Sequence, residues 1–151
     1  SLAELDVESD LDLGNRTFSV RAGDKSSADF RNVSCGPATF SVSVMAEVEV
    51  DRLVSRSFNA NVLGTAELSV GALDTNAASA TVADIAKLKI KGGTARSINF
   101  NASGSSVVKA SRLSAGSGQA MARGSSLIEV NVSGKFTSRS TDSASVSNIN
   151  K

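Results

Sequence analysis

Apolar and polar residues alternate with a period of two along most of the chain. In LDVESDLDL, residues 5–13, Leu5, Val7, Leu11 and Leu13 fall on one side of an extended chain, with Ser9 the only polar member. Asp6, Glu8, Asp10 and Asp12 fall on the other side. TFSVR alternates about Phe18 and Val20. ATFSVSVMAEVEVD places Phe40, Val42, Val44, Ala46, Val48 and Val50 on one face, with Ser41, Ser43, Glu47, Glu49 and Asp51 opposite. Further alternating runs centre on Leu68 and Val70, on Leu88 and Ile90, on Ile98 and Phe100, and on Ile128, Val130 and Val132. Each run is rich in β-branched residues and bounded by Gly, Ser, Asn or Asp, which are strand signals with turn punctuation.

Helix signals are few. TNAASATVADIAKL, residues 75–88, has Ala-rich propensity, but its continuation KLKIK is strand-like. KASRLSAGSGQAMA is interrupted by Gly116 and Gly118. Both read as loops or short irregular turns. Pro37, the only proline, stands just before a strand, where it costs no ladder hydrogen bond. Seven or eight strands at a spacing of roughly 10 to 15 residues predict an all-β fold, an immunoglobulin-like antiparallel β-sandwich.

Composition agrees with a single globular domain: 151 residues, 40% hydrophobic and 21% charged. The core must be built from aliphatic residues, Ala and six Phe, since Trp, Tyr and His are absent. Without His, and with Cys35 alone, the usual transition-metal ligand sets and any Cys–His nucleophile are excluded. An unpartnered Cys35 reads as a free, partly buried thiol, with an intermolecular bridge or a reactive nucleophile as the alternatives. Neither a nucleophile elbow nor a phosphate-binding Gly-rich loop occurs. Alternate carboxylates on one strand stand roughly 7 Å apart, too far to enclose a calcium ion by themselves. We therefore expect no enzyme activity, no cofactor, no metal and no small-molecule substrate. The net charge of +1 predicts no general attraction to nucleic acid.

Charge placement is more informative. Residues 1–13 carry five acids and no base, so the other 138 residues hold ten acids and all sixteen bases. The chain divides into an acidic arm and a basic body. Four buried aliphatics in the arm could contribute about 1.5–3 kcal/mol each if a groove receives them. That groove could belong to the chain itself or to a neighbour, as in β-augmentation, where backbone bonds give affinity and alternate side chains fill pockets.

The arm followed by Val-, Ala-, Ser- and Thr-rich strands resembles bacterial fimbrial subunits of the chaperone–usher type. ATFSVSVMAEVEVDRLVSRSFNANVLG, KLKIKGGTARSINFNAS and ARGSSLIEVNVSGKF carry the resemblance in the body. The paired cysteines and the penultimate Tyr of those pilins are missing here. The resemblance implies an N-terminal extension, residues 1–20, a sandwich over 21–138 and a polar tail over 139–151. Leu5, Val7, Leu11 and Leu13 would form a donor strand. The acceptor groove of the next copy would be lined by Phe40, Val42, Val44, Val130 and Val132. The partner would be the chain itself in a head-to-tail fibre, with an assembly chaperone and an outer-membrane usher. The location would be the cell surface, reached through the periplasm. A virion tail, capsid or decoration subunit, and a monomeric binding sandwich, are the alternatives.

Overall fold

In the computed structural model, residues 2–7 and 10–149 are described, with the backbone path alone for 2–4, 6 and 7. The described residues form fourteen strands: β1 (Leu2–Val7), β2 (Leu11–Asp12), β3 (Phe18–Ala22), β4 (Lys25–Ser34), β5 (Pro37–Val42), β6 (Glu47–Val54), β7 (Ser57–Val62), β8 (Glu67–Val82), β9 (Lys87–Ile90), β10 (Gly93–Ala102), β11 (Val107–Ala122), β12 (Leu127–Val132), β13 (Phe136–Ser140) and β14 (Ser145–Asn148). Every pairing among them is parallel. The predicted antiparallel sandwich is therefore overturned. The molecule is a parallel β-solenoid, each turn of chain lying on the turn before it.

Register defines the turn length. Ser27 pairs Glu47, Glu47 pairs Glu67, Glu67 pairs Lys87, Lys87 pairs Val107 and Val107 pairs Leu127, a step of 20 residues each time. A rung has three segments, seen in its second turn at residues 47–50, 52–54 and 57–62, followed by a tight turn at 63–66. Within each segment, alternate side chains enter the interior. The first segment stacks Ala28, Val48, Leu68, Leu88, Val108 and Ile128, and the third stacks Phe40, Ala60, Ala80, Phe100 and Ala120, all buried. Large and small residues complement one another between rungs, which keeps a narrow interior filled. Phe30, Phe18, Phe40 and Phe58 form a chain of ring contacts with centroids 5.2, 5.9 and 5.5 Å apart.

The tight turn explains why the rungs close. Its second residue has positive φ in every rung: Asp24, Val44, Gly64, Asp84, Gly104, Gly124 and Asp142, between 55° and 73°. Gly and Asp enter this left-handed region at low cost, whereas β-branched Val44 does not. The turn's last residue is Ala46, Ala66, Ala86, Ser106 or Ser126, each 2% exposed or less. A larger side chain has no room there. Where serine replaces alanine, the hydroxyl turns to backbone: Ser106 Oγ lies 2.8 Å from the Ser103 carbonyl, and Ser126 Oγ 2.7 Å from that of Arg123.

Two local expectations change with the fold. The apolar run from Phe40 to Val50 is two strands, β5 and β6, separated by the turn at Val44, which is exposed. Residues 75–82 of the Ala-rich stretch and the whole Gly-containing stretch are not loops; they complete the long strands β8 and β11, while 83–86 is the tight turn before β9. Small residues suit them because strand interiors face the opposite wall of a thin prism.

Regularity ends at both termini. β1 pairs β4 with a step of 23 and β2 pairs β4 with a step of 22. The last rung drops to 18, with Leu127 paired to Ser145 and Gly118 to Phe136. In β14 the Asn148 side chain bonds to the backbone of Val132. Its Oδ1 accepts from Val132 N–H at 2.9 Å, and its Nδ2 donates to Val132 C=O at 3.1 Å. Both backbone groups of Val132, past the last register pair of β12 with β14, are satisfied by one amide.

Candidate functional site

Chemistry does not converge at any single point. Among the described residues no group of three or more His, Cys, Asp or Glu is placed to hold a metal ion. Cys35 is a buried free thiol. Burial pushes it above the ordinary thiol range, partly offset by a hydrogen bond with the Phe18 backbone. It occupies the same interior column as Ser55, Thr75, Ala95 and Ala115, a place for small residues.

The residues expected to form a donor strand and its groove are distributed differently. β1, carrying Leu5 and Val7, lies on β4 of its own chain. Leu5 is 53% exposed at the open end of the prism. The side chain of Val7, like all of Glu8 and Ser9, lies outside the described residues. Leu11 and Leu13 are partly buried against the core. Phe40 and Val42 point inward from β5 and are fully buried, while Val130 and Val132 point inward from β12, several rungs away. Val44 faces outward at the turn. These five do not line a common groove. An apolar hollow of about 440 Å³ does exist, at the N-terminal end, lined by Leu5, Phe18, Val20, Ala28 and Phe30 among others.

What the fold does build is two long, flat outer faces. Because outward residues of successive rungs stand about 4.8 Å apart, each face displays ladders of equivalent side chains. On the third segment one ladder reads Thr39, Asn59, Ser79, Asn99, Gln119 and Thr137. Beside it run Ser41, Asn61, Thr81 and Asn101 before Met121 and Arg139 close the column. From residue 37 to residue 42, 57 to 62, 77 to 82 and 97 to 102 this amide face carries no charged side chain. Two shallow depressions cut into it. One, of about 360 Å³, lies among Asn99, Ser117, Gln119 and Thr137, and the other, of about 330 Å³, among Thr81, Asn101, Met121 and Arg123.

The first segment presents the opposite character. Its outward residues are Ser27 and Asp29, then Glu47 and Glu49, then Glu67 and Ser69, then Lys87 and Lys89, then Val107 and Lys109, then Leu127 and Glu129. The sign reverses between the third and fourth of these rungs, where Lys89 Nζ meets Glu67 Oε1 at 3.2 Å. Alternation in the sequence marked these residues as outward, but nothing in it said which of them would be neighbours. The signal that could have done so is the 20-residue recurrence of Gly or Asp at 64, 84, 104 and 124.

A parallel β-solenoid of this kind presents extended outer surfaces built from ladders of equivalent side chains. Residues 34–151 match the family described as "Putative auto-transporter adhesin, head GIN domain", and the chain belongs to that family. Membership implies an adhesin-like protein with an extracellular or cell-surface location. No curated protein and no solved structure matches the chain. The matched region begins at the end of β4, so β1 to β3 lie outside it.

Proposed function

We propose that the chain is a non-catalytic adhesion module whose amide face contacts a hydroxyl-rich polymer, such as a surface polysaccharide. The observation that carries this reading is the uncharged ladder Thr39, Asn59, Ser79, Asn99, Gln119 and Thr137. Amides and hydroxyls both donate and accept, so they match sugar hydroxyls without requiring charge. Equal rung spacing lets one chain of sugars engage several rungs in succession. The described Phe side chains are turned into or against the core, so ring stacking on sugars does not contribute. Each rung then binds weakly and affinity comes from the number engaged. The narrower reading, a fibre grown by exchange of the N-terminal strand, would have to remove β1 from β4 of its own chain; adhesion needs no such step.

The test is binding to immobilised polysaccharides by the intact chain and by Asn59→Ala/Asn99→Ala/Gln119→Ala. All three side chains are exposed, so thermal stability should be unchanged. Loss of polysaccharide binding by about tenfold or more supports the reading, at roughly 0.5–1.5 kcal/mol per hydrogen bond removed. Absence of binding to any polysaccharide, or unchanged binding by the triple variant, overturns it.

A further inference from the structure

We propose that the charged face is a self-complementary docking surface on which two copies of the chain pair with their long axes antiparallel. The starting point is an electrostatic cost within one chain. Like charges stand next to each other in register: Asp29 beside Glu49, Glu47 beside Glu67, and Lys89 beside Lys109. Directly opposed like charges on neighbouring strands are destabilising. Among the described residues only Lys89–Glu67 and Arg52–Asp74 form ion pairs. Asp29, Glu47, Glu49 and Asp51 are thus an exposed acidic block outside both ion pairs, and Lys87, Lys91 and Lys109 an exposed basic block outside them, with Glu67 in register beside Lys87 and Glu129 beside Lys109.

The order of these blocks determines the geometry that relieves both. The acidic rung of Glu47, Glu49 and Asp51 and the basic rung of Lys87, Lys89 and Lys91 lie one step on either side of the rung of Glu67, Ser69 and Gly71. A two-fold axis running along that central rung, parallel to its strand, places each acidic rung over the basic rung of the second copy. Glu47 then faces Lys87, Glu49 faces Lys89 and Asp51 faces Lys91, and one rung further out Asp29 faces Lys109. The two-fold repeats every contact, as an isologous interface requires. A parallel arrangement would instead oppose acid to acid and base to base. The central rung favours close approach, because Ser69 is buried and Gly71 has no side chain. The central Glu67 carboxylates, which meet across the axis, are each already held by Lys89 of their own chain. This pairing leaves the amide face free and does not depend on what that face binds.

The experiment is sedimentation equilibrium of the intact chain at about 50 mM and about 500 mM salt, with charge-reversal variants. A monomer–dimer equilibrium is expected at low salt, with the dissociation constant about tenfold higher at high salt, where the screening length falls to a few ångströms. Glu47→Lys/Glu49→Lys/Asp51→Lys should be monomeric, and so should Lys87→Glu/Lys89→Glu/Lys91→Glu. An equimolar mixture of the two triple variants should form a heterodimer, and the chain carrying all six changes should dimerise again. Zero-length carbodiimide coupling of wild-type chains, half of them isotope-labelled, should join Glu49 to Lys89 between copies, a readout that needs no variant. A wild-type chain that is monomeric at low salt, dimers that survive either triple reversal, or coupling confined to Glu67–Lys89 within one chain would overturn the proposal.

Discussion

Leu5 and Leu68 belong to one inward column, joined through the registers Leu5–Ala28, Ala28–Val48 and Val48–Leu68, yet their surroundings have little in common. Leu68 is sealed between rungs on both sides, while Leu5 sits on the last rung and is 53% exposed. In a solenoid each rung is buried by its neighbours, so an interior position at an end is interior in direction only. Stability is therefore concentrated in the rungs from β4 to β11, and the ends need separate devices. The C-terminal end has one in Asn148; the N-terminal end has an open hollow instead.

The widest test of this contrast is truncation of both leucines. Leu68→Ala should lower the unfolding free energy by about 2–5 kcal/mol, whereas Leu5→Ala should cost less than about 1 kcal/mol, as measured by denaturant titration. Similar losses at both sites would break the distinction between middle and end. A backbone test in the middle is Gly93→Ala. Gly93 has φ of 113°, and an added Cβ would collide with the Leu73 backbone on the rung beside it. A loss of about 1–3 kcal/mol is expected.

At the C-terminal end, Asn148→Ala removes both bonds to Val132. It should cost about 1 kcal/mol and raise hydrogen exchange at the Val132 amide while leaving exchange at Val50 unchanged. Equal acceleration at both amides would mean that the end is not a separate unit. The smallest effect concerns Cys35, on the second rung from the N-terminal end. Its thiol pKa is raised by burial in the folded chain, so its contribution is fully present below the unfolded thiol's pKa and is lost as pH rises through the folded value. Stability of the wild type relative to Cys35→Ala should be flat at neutral pH and should decline above about pH 9.0, read by thermal melting across that range.

Much of the local structure was legible along the chain, and the reason is steric. Alternation at Phe18–Ala22, Glu47–Val50, Lys87–Ile90 and Leu127–Val132 marks strands, because successive side chains of a strand must point to opposite sides. Alternation carries no information on what lies across the hydrogen bonds, so parallel and antiparallel neighbours read alike. Val44 conceals a turn because a β-branched residue seldom takes positive φ, and β8 and β11 conceal strands because their Ala, Ser and Gly suit a thin interior better than strand propensity. Of the residues expected to line an acceptor groove, Phe40, Val42, Val130 and Val132 face the interior of their own chain.

By itself, then, the sequence determined that this is an all-β chain with an aliphatic core, and which side chains of the alternating runs face in or out, Val44 excepted. It also determined that His-dependent chemistry is impossible. Only the tertiary structure decided that the chain climbs by 20 residues per rung, and therefore which outward residues become neighbours. The physical reason lies in the turns: a left-handed residue followed by a small one closes each rung over the last, converting scattered Asn, Thr, Glu and Lys into continuous faces.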